Sequence, residues 1–511
     1  MQNVANTVLL QKPDHSLHDM SSQTLTTTVI GRITPVNCIE VVPGDTITIG
    51  HEMLIKFMPL GTPIMQGLTA YIHSFYIPFR VMWKNWKYFI AQNLDPYTGQ
   101  IPLHPLISTI DSVIYNNVNY IPRYLGLTDT VNDVSPFPFL AYQRIYNEYY
   151  RHQKIHDDLE NDLLCPDGNF VLPTAEWLAA RYRTWKDTYF SSALPSPQQG
   201  DAAQVNIFQD VPVALNAGPI AGVANKYGII GGVNPGPTTA TMYDMETGNP
   251  TNIDANAMYA ATSELSVSVN DLIELSRLQE FLVRNNIAGN RYNEFILAHF
   301  GERVPDLRVD RPEYLTGCKT PVQIQELLNS DSSQGTQTGQ AAAYARGGGS
   351  HYKITEHGLI MSLLTVIPSE SYCNATQRHL WKNKHSDYYL PVFDQMGEQE
   401  VYNKELHVSH IDPDGTFGYL PRYSEYRLPF NNVTGDFRDT LIAWHLGRDL
   451  QNNVALNEDF FDIKNQTRVF SYVGEDADHL LCQVQNNIFI NRPMKKYSMP
   501  VLTNQSRYNL S

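Results

Sequence analysis

Two histidines are the first residues in this sequence whose spacing could hold a metal ion. His152 and His156 lie four residues apart in FLAYQRIYNEYYRHQKIHDDLE (139–160), a stretch whose apolar spacing predicts a helix. Histidines with this spacing on a helix can share a zinc ion, but Gln153 replaces the glutamate of the HExxH motif. We therefore predict a solvated helix face here rather than a zinc site.

The segment DPDG (412–415) resembles the start of a calcium-binding loop. Such a loop needs a bidentate acidic ligand at its twelfth position, which Tyr423 occupies here, so a tight turn is the better interpretation. The phosphate-binding GxxxxGK[ST] loop, a GxGxxG helix opening and the GxSxG nucleophile elbow are absent from the sequence. No pair of carboxylates stands out for glycosidase chemistry. The sequence thus predicts no enzyme, no cofactor and no metal site.

The C-terminal segment NRPMKKYSMPVLTNQSRYNLS (491–511) reverses the charge of the chain. The whole chain has 37 Lys and Arg against 52 Asp and Glu and a formal charge of −15, whereas this segment has basic residues and no acidic one. Cations interleaved with tyrosines suit single-stranded nucleic acid, whose phosphates meet the cations and whose bases stack on the rings. The alternative is a solvated tail that lies on its own domain or on a neighbour. The candidate nucleic-acid-binding residues are Arg492, Lys495 and Lys496.

The composition is that of a folded protein. Of 511 residues, 42% are hydrophobic and only 17% are charged, which excludes a disordered chain, a collagen and a coiled coil. The longest apolar stretch, residues 359–367, is shorter than the roughly 20 residues of a membrane span, so we expect no membrane insertion. The first residues lack the basic start and apolar stretch of a secretion signal. Five scattered cysteines without CxxC spacing predict reduced thiols.

Strand patterns occur at both ends of the chain. β-Branched and aromatic residues dominate residues 24–33, 45–50, 52–57 and 68–79, and again residues 351–368, 468–473 and 487–491. Strands at the start must then pair with strands at the end to complete a sheet. We therefore predict a single domain, residues 1–511, with its β core at about 20–80 and 350–490 and a basic tail at 491–511.

The middle of the chain, residues 81–350, is predicted to be inserted between these strands. Helical spacing occurs at residues 139–160, 174–185 (with Thr174 as N-cap), 268–286 and 291–300. The last two helices should bury an apolar stripe that contains Leu275 and Leu282. Residues 200–262, rich in Gly, Pro, Ala and Asn, predict a long exposed loop, and residues 330–350 a second polar loop. The fold class that this layout favours is a β-sandwich of jelly-roll type.

Six multi-residue blocks carry a resemblance to a known family. They are YIPFRVMWKNWKYF (76–89), WKDTYFSSALPSPQQG (185–200), SVNDLIELSRLQEFLVRNNIAGNRYNEFILAHFG (268–301), RPEYLTG (311–317), DYYLPVFDQMGEQEVYNKEL (387–406) and FGYLPRYSEYR (417–427). In this order they resemble the major capsid proteins of the Microviridae, small single-stranded DNA phages, and most closely the gokushovirus-like branch. The similarity runs from about residue 20 to about residue 500.

The resemblance implies a mainly β fold, an eight-stranded antiparallel jelly roll whose long helix- and loop-containing insertions carry most subunit contacts. It implies sixty copies in a T=1 icosahedral virion shell, assembled in the host bacterial cytoplasm around circular single-stranded DNA. The implied partners are further copies of this chain, a small basic DNA-binding protein, and internal scaffolding and pilot proteins. In gokushovirus-like relatives the segment matching residues 200–270 forms a threefold protrusion, which implies a host surface receptor contact through loop 200–262. No catalytic residue is carried over.

A second function class stays open at this point. A carbohydrate-binding or carbohydrate-active β-sandwich would have the same strand patterns, since a fold of this type hosts many functions. Self-assembly into shells would distinguish the capsid protein from this alternative.

Overall fold

A computed structural model describes residues 14–496 of the chain, apart from 111–116, 128, 160–162, 171–176, 200–226, 230–241, 245–268, 289–291, 302, 304, 329–336, 395, 465 and 472–476. The chain divides into two compact units. The first comprises Met1–Pro197 and Ala288–Ser511, and the second comprises Gln198–Ile287.

The described residues contain seventeen strands. They are β1 (Ser16–Asp19), β2 (Ser22–Thr28), β3 (Thr34–Val41), β4 (Thr46–Phe57), β5 (Leu68–Pro78), β6 (Leu106–Ile110), β7 (Val131–Val134), β8 (Asn169–Phe170), β9 (Tyr227–Ile229), β10 (Met242–Asp244), β11 (Glu313–Pro321), β12 (Gln323–Leu328), β13 (Gln337–Lys353), β14 (Gly358–Pro368), β15 (Glu398–Tyr402), β16 (Thr416–Pro421) and β17 (Leu480–Arg492).

Helices are shorter and fewer in the described residues. They are α1 (Phe79–Met82), α2 (Trp86–Ile90), α3 (Phe137–Ile145), α4 (Val269–Ala288), α5 (Tyr292–Phe300), α6 (Asn403–Leu406) and α7 (Glu458–Phe461). A π-helical turn, Tyr146–Tyr150, continues α3. Single 3-10 turns connect many of the remaining segments.

Two antiparallel sheets form the sandwich. The first has the strand order β1-β17-β4-β13-β12, with β2 also paired to β17, and the second has the order β11-β5-β14-β3. Without β1 and β12 the first sheet is β2-β17-β4-β13. Along the chain these eight strands alternate between the sheets, except at β5 and β11, which pair with each other. The predicted mainly β, antiparallel fold class is confirmed, and the strand order is consistent with the eight-stranded jelly roll.

The sandwich resumes before the predicted boundary at residue 350. Strand β11 and most of β13 lie within residues 81–350, where the sequence predicted insertions, and β13 runs through most of the predicted polar loop. Glycine and alanine give β13 a low strand propensity, but β4 and β12 pair with it on its two sides. A shift of register between Gly347 and Ser350 accommodates its run of glycines. A further insertion, residues 369–479, separates β14 from β17 inside the predicted core.

Two local predictions are wrong in their described parts. Residues 179–185, part of the predicted helix, are extended, and isolated bridges pair Ala179 with Tyr120, Tyr182 with Arg32, and Thr184 with Asp462. Burial of Trp177 and Trp185 in two hydrophobic clusters overrides the helical spacing. Thr174 lies outside the described residues. The described part of the predicted strand 468–473 contributes one bridge, between Phe470 and Leu60.

The second sheet is covered on both faces. One face packs against the first sheet in a hydrophobic cluster that includes Leu364 and Val484, and the other packs against α3 in a cluster that includes Met361 and Leu140. Every residue of β14 is consequently buried. This double burial explains why the longest apolar stretch of the sequence lies here.

Within the described part of the chain, the first sheet packs on one face only. Burial alternates along β4 and β17, so every second side chain points away from the core. Leu25, Tyr344, Leu481 and Phe489 are exposed large apolar side chains in these outward positions or in those of the neighbouring strands. We call the outward side of β2, β17, β4 and β13 the open face.

The second unit contains β9 and β10, which pair antiparallel, and almost all of α4. Helices α4 and α5 confirm the helices predicted at 268–286 and 291–300. In α4, Leu275 and Leu282 are half-buried and Leu278 is exposed, so the predicted stripe is only partly covered within one chain. Most of loop 200–262 lies outside the described residues, so its exposure stays a prediction.

Candidate functional site

Arg492, the last residue of β17, is held by a buried carboxylate. Its Nε lies 3.1 Å from both carboxylate oxygens of Asp45, and its Nη2 lies 2.8 Å from Oδ2. Nη2 also donates to the Glu40 carbonyl at 2.9 Å. Asp45 is fully buried, and its Oδ2 accepts from the Val42 backbone N–H at 3.0 Å. The charge of Arg492 is therefore compensated within the chain by a bidentate contact that ties β17 to the turn before β4.

Lys495 and Lys496 follow this contact and are exposed. No carboxylate in the described part of the chain forms an ion pair with either lysine. The rest of the tail, residues 497–511, lies outside the described residues. The structure thus separates the three predicted residues, because Arg492 has a structural partner whereas the two lysines have charges available to a ligand.

The open face begins on the same strand, β17. In one row across the sheet, Gln483 lies opposite Leu25 on one side and Leu54 on the other, and Leu54 lies opposite Tyr344. In the adjacent row Leu481 lies opposite Lys56. Side chains of these two rows, among them Leu25, Leu54, Leu481, Lys56 and Gln483, line a groove.

The charges of the open face are few and mainly basic. Arg346 pairs with Glu52 at 3.0 Å, while Lys56 and Lys353 are exposed. The exposed ring of Phe489 on β17 lies directly opposite Thr48 on β4. Amide side chains occupy several of the other outward positions of β17. Rings, amides and unpaired cations on one surface can stack on bases and neutralise phosphates.

A serine–histidine pair lies in the core and was not predicted from the sequence. His51 Nε2 lies 2.7 Å from Ser74 Oγ, and His51 Nδ1 lies 2.9 Å from Asn486 Oδ1. Ser74 Oγ lies 2.8 Å from Ser362 Oγ. These distances suit a nucleophile relay, but all four side chains are buried between the sheets, where no substrate can reach them. Burial lowers the pKa of His51, so this cluster is a neutral polar link between the sheets.

The prediction of a solvated helix face at His152 and His156 is wrong. Both residues follow the π-helical turn and lie outside any helix. His152 stacks on Phe461 with ring centroids 4.1 Å apart, and burial lowers its pKa to about 4. His156 Nε2 lies 3.0 Å from Asp462 Oδ1. The described residues contain no group of three or more side chains that could hold a metal ion.

The DPDG segment forms the predicted turn. The Gly415 N–H donates to the Asp412 carbonyl at 3.4 Å, and Asn403 Nδ2 donates to the same oxygen at 2.9 Å. Lys404 Nζ lies 2.7 Å from Asp414, so this exposed carboxylate already has a cation. All five cysteines are free thiols, as predicted. Across the described residues no helix has the length and apolar content of a membrane span.

Comparison with known proteins identifies the family of the chain. A family model described as the capsid protein (F protein) matches residues 8–502. The chain belongs to this phage capsid protein family. It is 28% identical to the capsid protein VP1 of Chlamydia phage 1 over 95% of both chains. It is 27% identical to that of Bdellovibrio phage phiMH2K over 92% of both chains.

A third relative is the capsid protein VP1 of Spiroplasma virus 4, which is 26% identical over 93% of this chain and 92% of the relative. All three relatives come from Microviridae, which confirms the resemblance read from the sequence blocks. Phage capsid proteins of this family are structural virion proteins, so the chain is not an enzyme. The carbohydrate-binding alternative is not favoured, because these relatives are all capsid proteins.

Buried ion pairs fix the insertion 369–479 of the capsid protein, one within the insertion and one to the segment between β2 and β3. Arg448 Nη1 lies 2.7 Å from Glu370, and its guanidinium carbon lies 4.0 Å from the centroid of the Phe460 ring. Near the start of β17, Asp478 accepts from Arg32 at 2.6 Å and from Thr27 at 2.6 Å. Neither pair is visible in the sequence, because their partners lie hundreds of residues or several strands apart.

Proposed function

We propose that this capsid protein is the major shell subunit of a small phage, and that sixty copies form a T=1 icosahedral shell around circular single-stranded DNA. The match of the family model to residues 8–502 supports this proposal, because it covers nearly the whole chain. Copies of this chain are then the main partners of each subunit. The exposed apolar side chains of the insertions provide area for such contacts.

The charge of the chain constrains how the genome is held. Sixty copies at −15 each carry a formal charge of about −900, which repels phosphate. Packaging then requires cationic partners, such as a small basic DNA-binding protein, together with local basic surfaces that face inward. We assign this inward role to Lys495 and Lys496 and to the open face. The ion pair with Asp45 gives Arg492 a supporting role in positioning the two lysines.

The remaining partners follow from the family's way of assembling. We propose internal scaffolding and pilot proteins, assembly in the host bacterial cytoplasm, and a host surface receptor that binds loop 200–262. Replacement of the tip of this loop by a short Gly/Ser linker is expected to spare shells and to change infection.

Electron microscopy of the purified chain, with sedimentation analysis, tests the proposal. We expect pentamers or closed shells of one size, and shells recovered from infected cells should contain single-stranded DNA. A chain that stays monomeric under all assembly conditions, including with its phage's scaffolding protein, would contradict the proposal.

A further inference from the structure

Residues 90–103 form an exposed apolar loop after α2. Leu94, Tyr97, Ile101 and Leu103 are all exposed, and the side chain of Tyr97 is 95% exposed. The single charged residue of this segment, Asp95, is buried at 3% exposure. The loop therefore offers solvent an apolar surface without a charge of either sign, which is typical of the centre of a protein–protein interface.

Hydrogen bonds hold the tip of this loop in one conformation. Asp95 Oδ1 accepts from the Tyr97 N–H at 3.0 Å, and Oδ2 accepts from Thr98 Oγ1 at 3.1 Å. The Gly99 N–H donates to the Asp95 carbonyl at 2.8 Å, and the Asp95 N–H donates to Gln100 at 2.9 Å. Gly99 has φ 67°, which glycine adopts without strain. A loop that is already ordered loses little entropy when it binds.

A cavity rich in aromatic side chains is formed mainly by the insertion between β14 and β17. It is lined in part by Tyr189, His379, Tyr388, Tyr426 and Phe430, and we call it the tyrosine cavity. The exposed side chains of Leu380 and Leu390 lie close to these residues in the chain.

The charged groups at the tyrosine cavity already have partners within the chain. Lys382 Nζ lies 2.8 Å from Glu425 and 4.1 Å from the centroid of the Tyr426 ring. Arg378 pairs with Glu405 at 2.9 Å. With these charges compensated, the cavity suits an uncharged, aromatic or apolar occupant rather than a phosphate or a carboxylate.

We propose that the Tyr97 loop of one copy enters the tyrosine cavity of a neighbouring copy. This inference rests on the proposed function, because it identifies a contact through which the shell assembles. The loop lacks the cations that nucleic acid needs. Its exposed surface has no charge, the charges that line the tyrosine cavity are paired within the chain, and both surfaces present aromatic rings. A contact between two different surfaces of identical chains leaves both surfaces available on the next copy, so the same contact repeats from copy to copy. The copies form a closed ring when the rotation between neighbours permits it, and a shell requires such closure.

Substitution of Tyr97 by serine tests the loop. Tyr97→Ser removes an anchor ring without a buried contact of its own, so the unfolding midpoint of the monomer should not change. Removal of a central aromatic anchor is expected to raise the concentration for half-maximal association about 30-fold in sedimentation velocity. Tyr388→Ser should have a similar effect from the cavity side. The matched control is Tyr344→Ser, which removes an exposed ring from the open face and should associate like the wild type.

A cysteine pair tests the pairing of the two surfaces directly. A Tyr97→Cys chain mixed with a His379→Cys chain should give a disulfide-linked heterodimer under mild oxidation, since the five native thiols are buried or half-buried. The control pair, Tyr344→Cys with His379→Cys, sets the background.

Two results would overturn this contact. The first is wild-type association of Tyr97→Ser, and the second is a heterodimer yield no higher than the control pair. Weaker association without the heterodimer would place the loop against a different surface or a different protein, which also overturns the pairing. Failure of the wild-type chain to form any oligomer would contradict the proposed function instead.

Discussion

The ion pair between Arg32 and Asp478 offers the sharpest test of what stabilises the subunit. Arg32 and Asp478 are 2% and 3% exposed, and their side chains meet at 2.6 Å. The other carboxylate oxygen accepts from Thr27 Oγ1 at 2.6 Å and from the Tyr124 hydroxyl at 3.1 Å. The substitution Asp478→Asn keeps the size of the side chain and removes only its charge. Arg32 would then be a buried cation without a counter-ion.

Loss of one partner of a buried ion pair costs about 3–5 kcal/mol, because the remaining charge stays desolvated. The asparagine oxygen can still accept one hydrogen bond, so we expect about 3 kcal/mol for Asp478→Asn. That is a large part of a total stability of about 5–15 kcal/mol. The double variant Arg32→Met with Asp478→Asn removes both charges, and we expect it to recover most of this loss.

Urea unfolding of the unassembled chain, followed by fluorescence and circular dichroism, measures these differences. The control is Asp459→Asn, whose carboxylate is 84% exposed and lies 3.4 Å from Lys464. An exposed pair of this kind contributes about 0–1 kcal/mol. A loss for Asp478→Asn no larger than that of Asp459→Asn would refute the reasoning, as would a double variant less stable than the single one.

Three further tests concern the charge of the C-terminal lysines, the ion pair of Arg492 with Asp45 and the dependence of stability on pH. Lys495→Gln with Lys496→Gln should lower the slope of log K against log salt for single-stranded DNA by about 1.4, since each phosphate contact contributes about 0.7. Arg492→Gln leaves the buried Asp45 without its cation, so urea unfolding should show a loss of about 2 kcal/mol. Burial, and then the charge of Arg183, lower the pKa of His73 from 6.5 to about 4. The unfolded chain binds this proton first, so stability should fall from about pH 6.5 towards pH 4 by about 3 kcal/mol, and less in His73→Gln.

Each of these tests has a control. Lys319→Gln with Lys384→Gln removes two exposed lysines from other surfaces, and an equal change of slope in both double variants would remove the tail from the nucleic-acid surface. Arg492→Lys keeps the charge but not the bidentate geometry, so it should recover only part of the stability. An acid profile of His73→Gln identical to that of the wild type would show that His73 does not cause the acid loss.

The strands could be predicted where their burial produces a recognisable pattern of apolar residues in the sequence. Alternation marks β4 and β17, whose second faces are exposed, and a continuous apolar run marks β14, which is covered on both faces. Both patterns depend only on the environment of each strand, so they can be read without knowledge of the partner strands. The mainly β class followed from them.

Strand β13 and the extended residues 179–185 were not predictable in this way. The first is rich in glycine and alanine, and it is a strand because β4 and β12 pair with it. The second has helical spacing, but its bridges to Arg32 and Asp462 fix it in an extended conformation. In both cases contacts distant in sequence decide the conformation, and local propensity is too weak to oppose them.

In the candidate site, too, some features are visible in the local sequence and others depend on contacts distant in sequence. The reversal of charge near the C-terminus is visible in the sequence, but Arg492 finds Asp45 only because β17 lies beside β4 in the sheet. The core contacts of His51 are equally hidden, although its position in the alternating pattern of β4 places it inside. Sequence patterns thus indicate which residues could bind a ligand, and sheet pairing decides which of them already have a partner.

The exposed apolar side chains are the hardest feature to predict and the most informative about assembly. In the sequence, Leu94 and Tyr97 look like residues of a small core, since an apolar residue type carries no information about which molecule buries it. Only their exposure in a folded chain separates the two cases. A subunit that kept such a surface in water would tend to aggregate, so a partner must cover it in the working state. For a capsid protein that partner is a further copy of the chain, and the apolar area that each contact removes from water favours association despite the mutual repulsion of chains at −15 each.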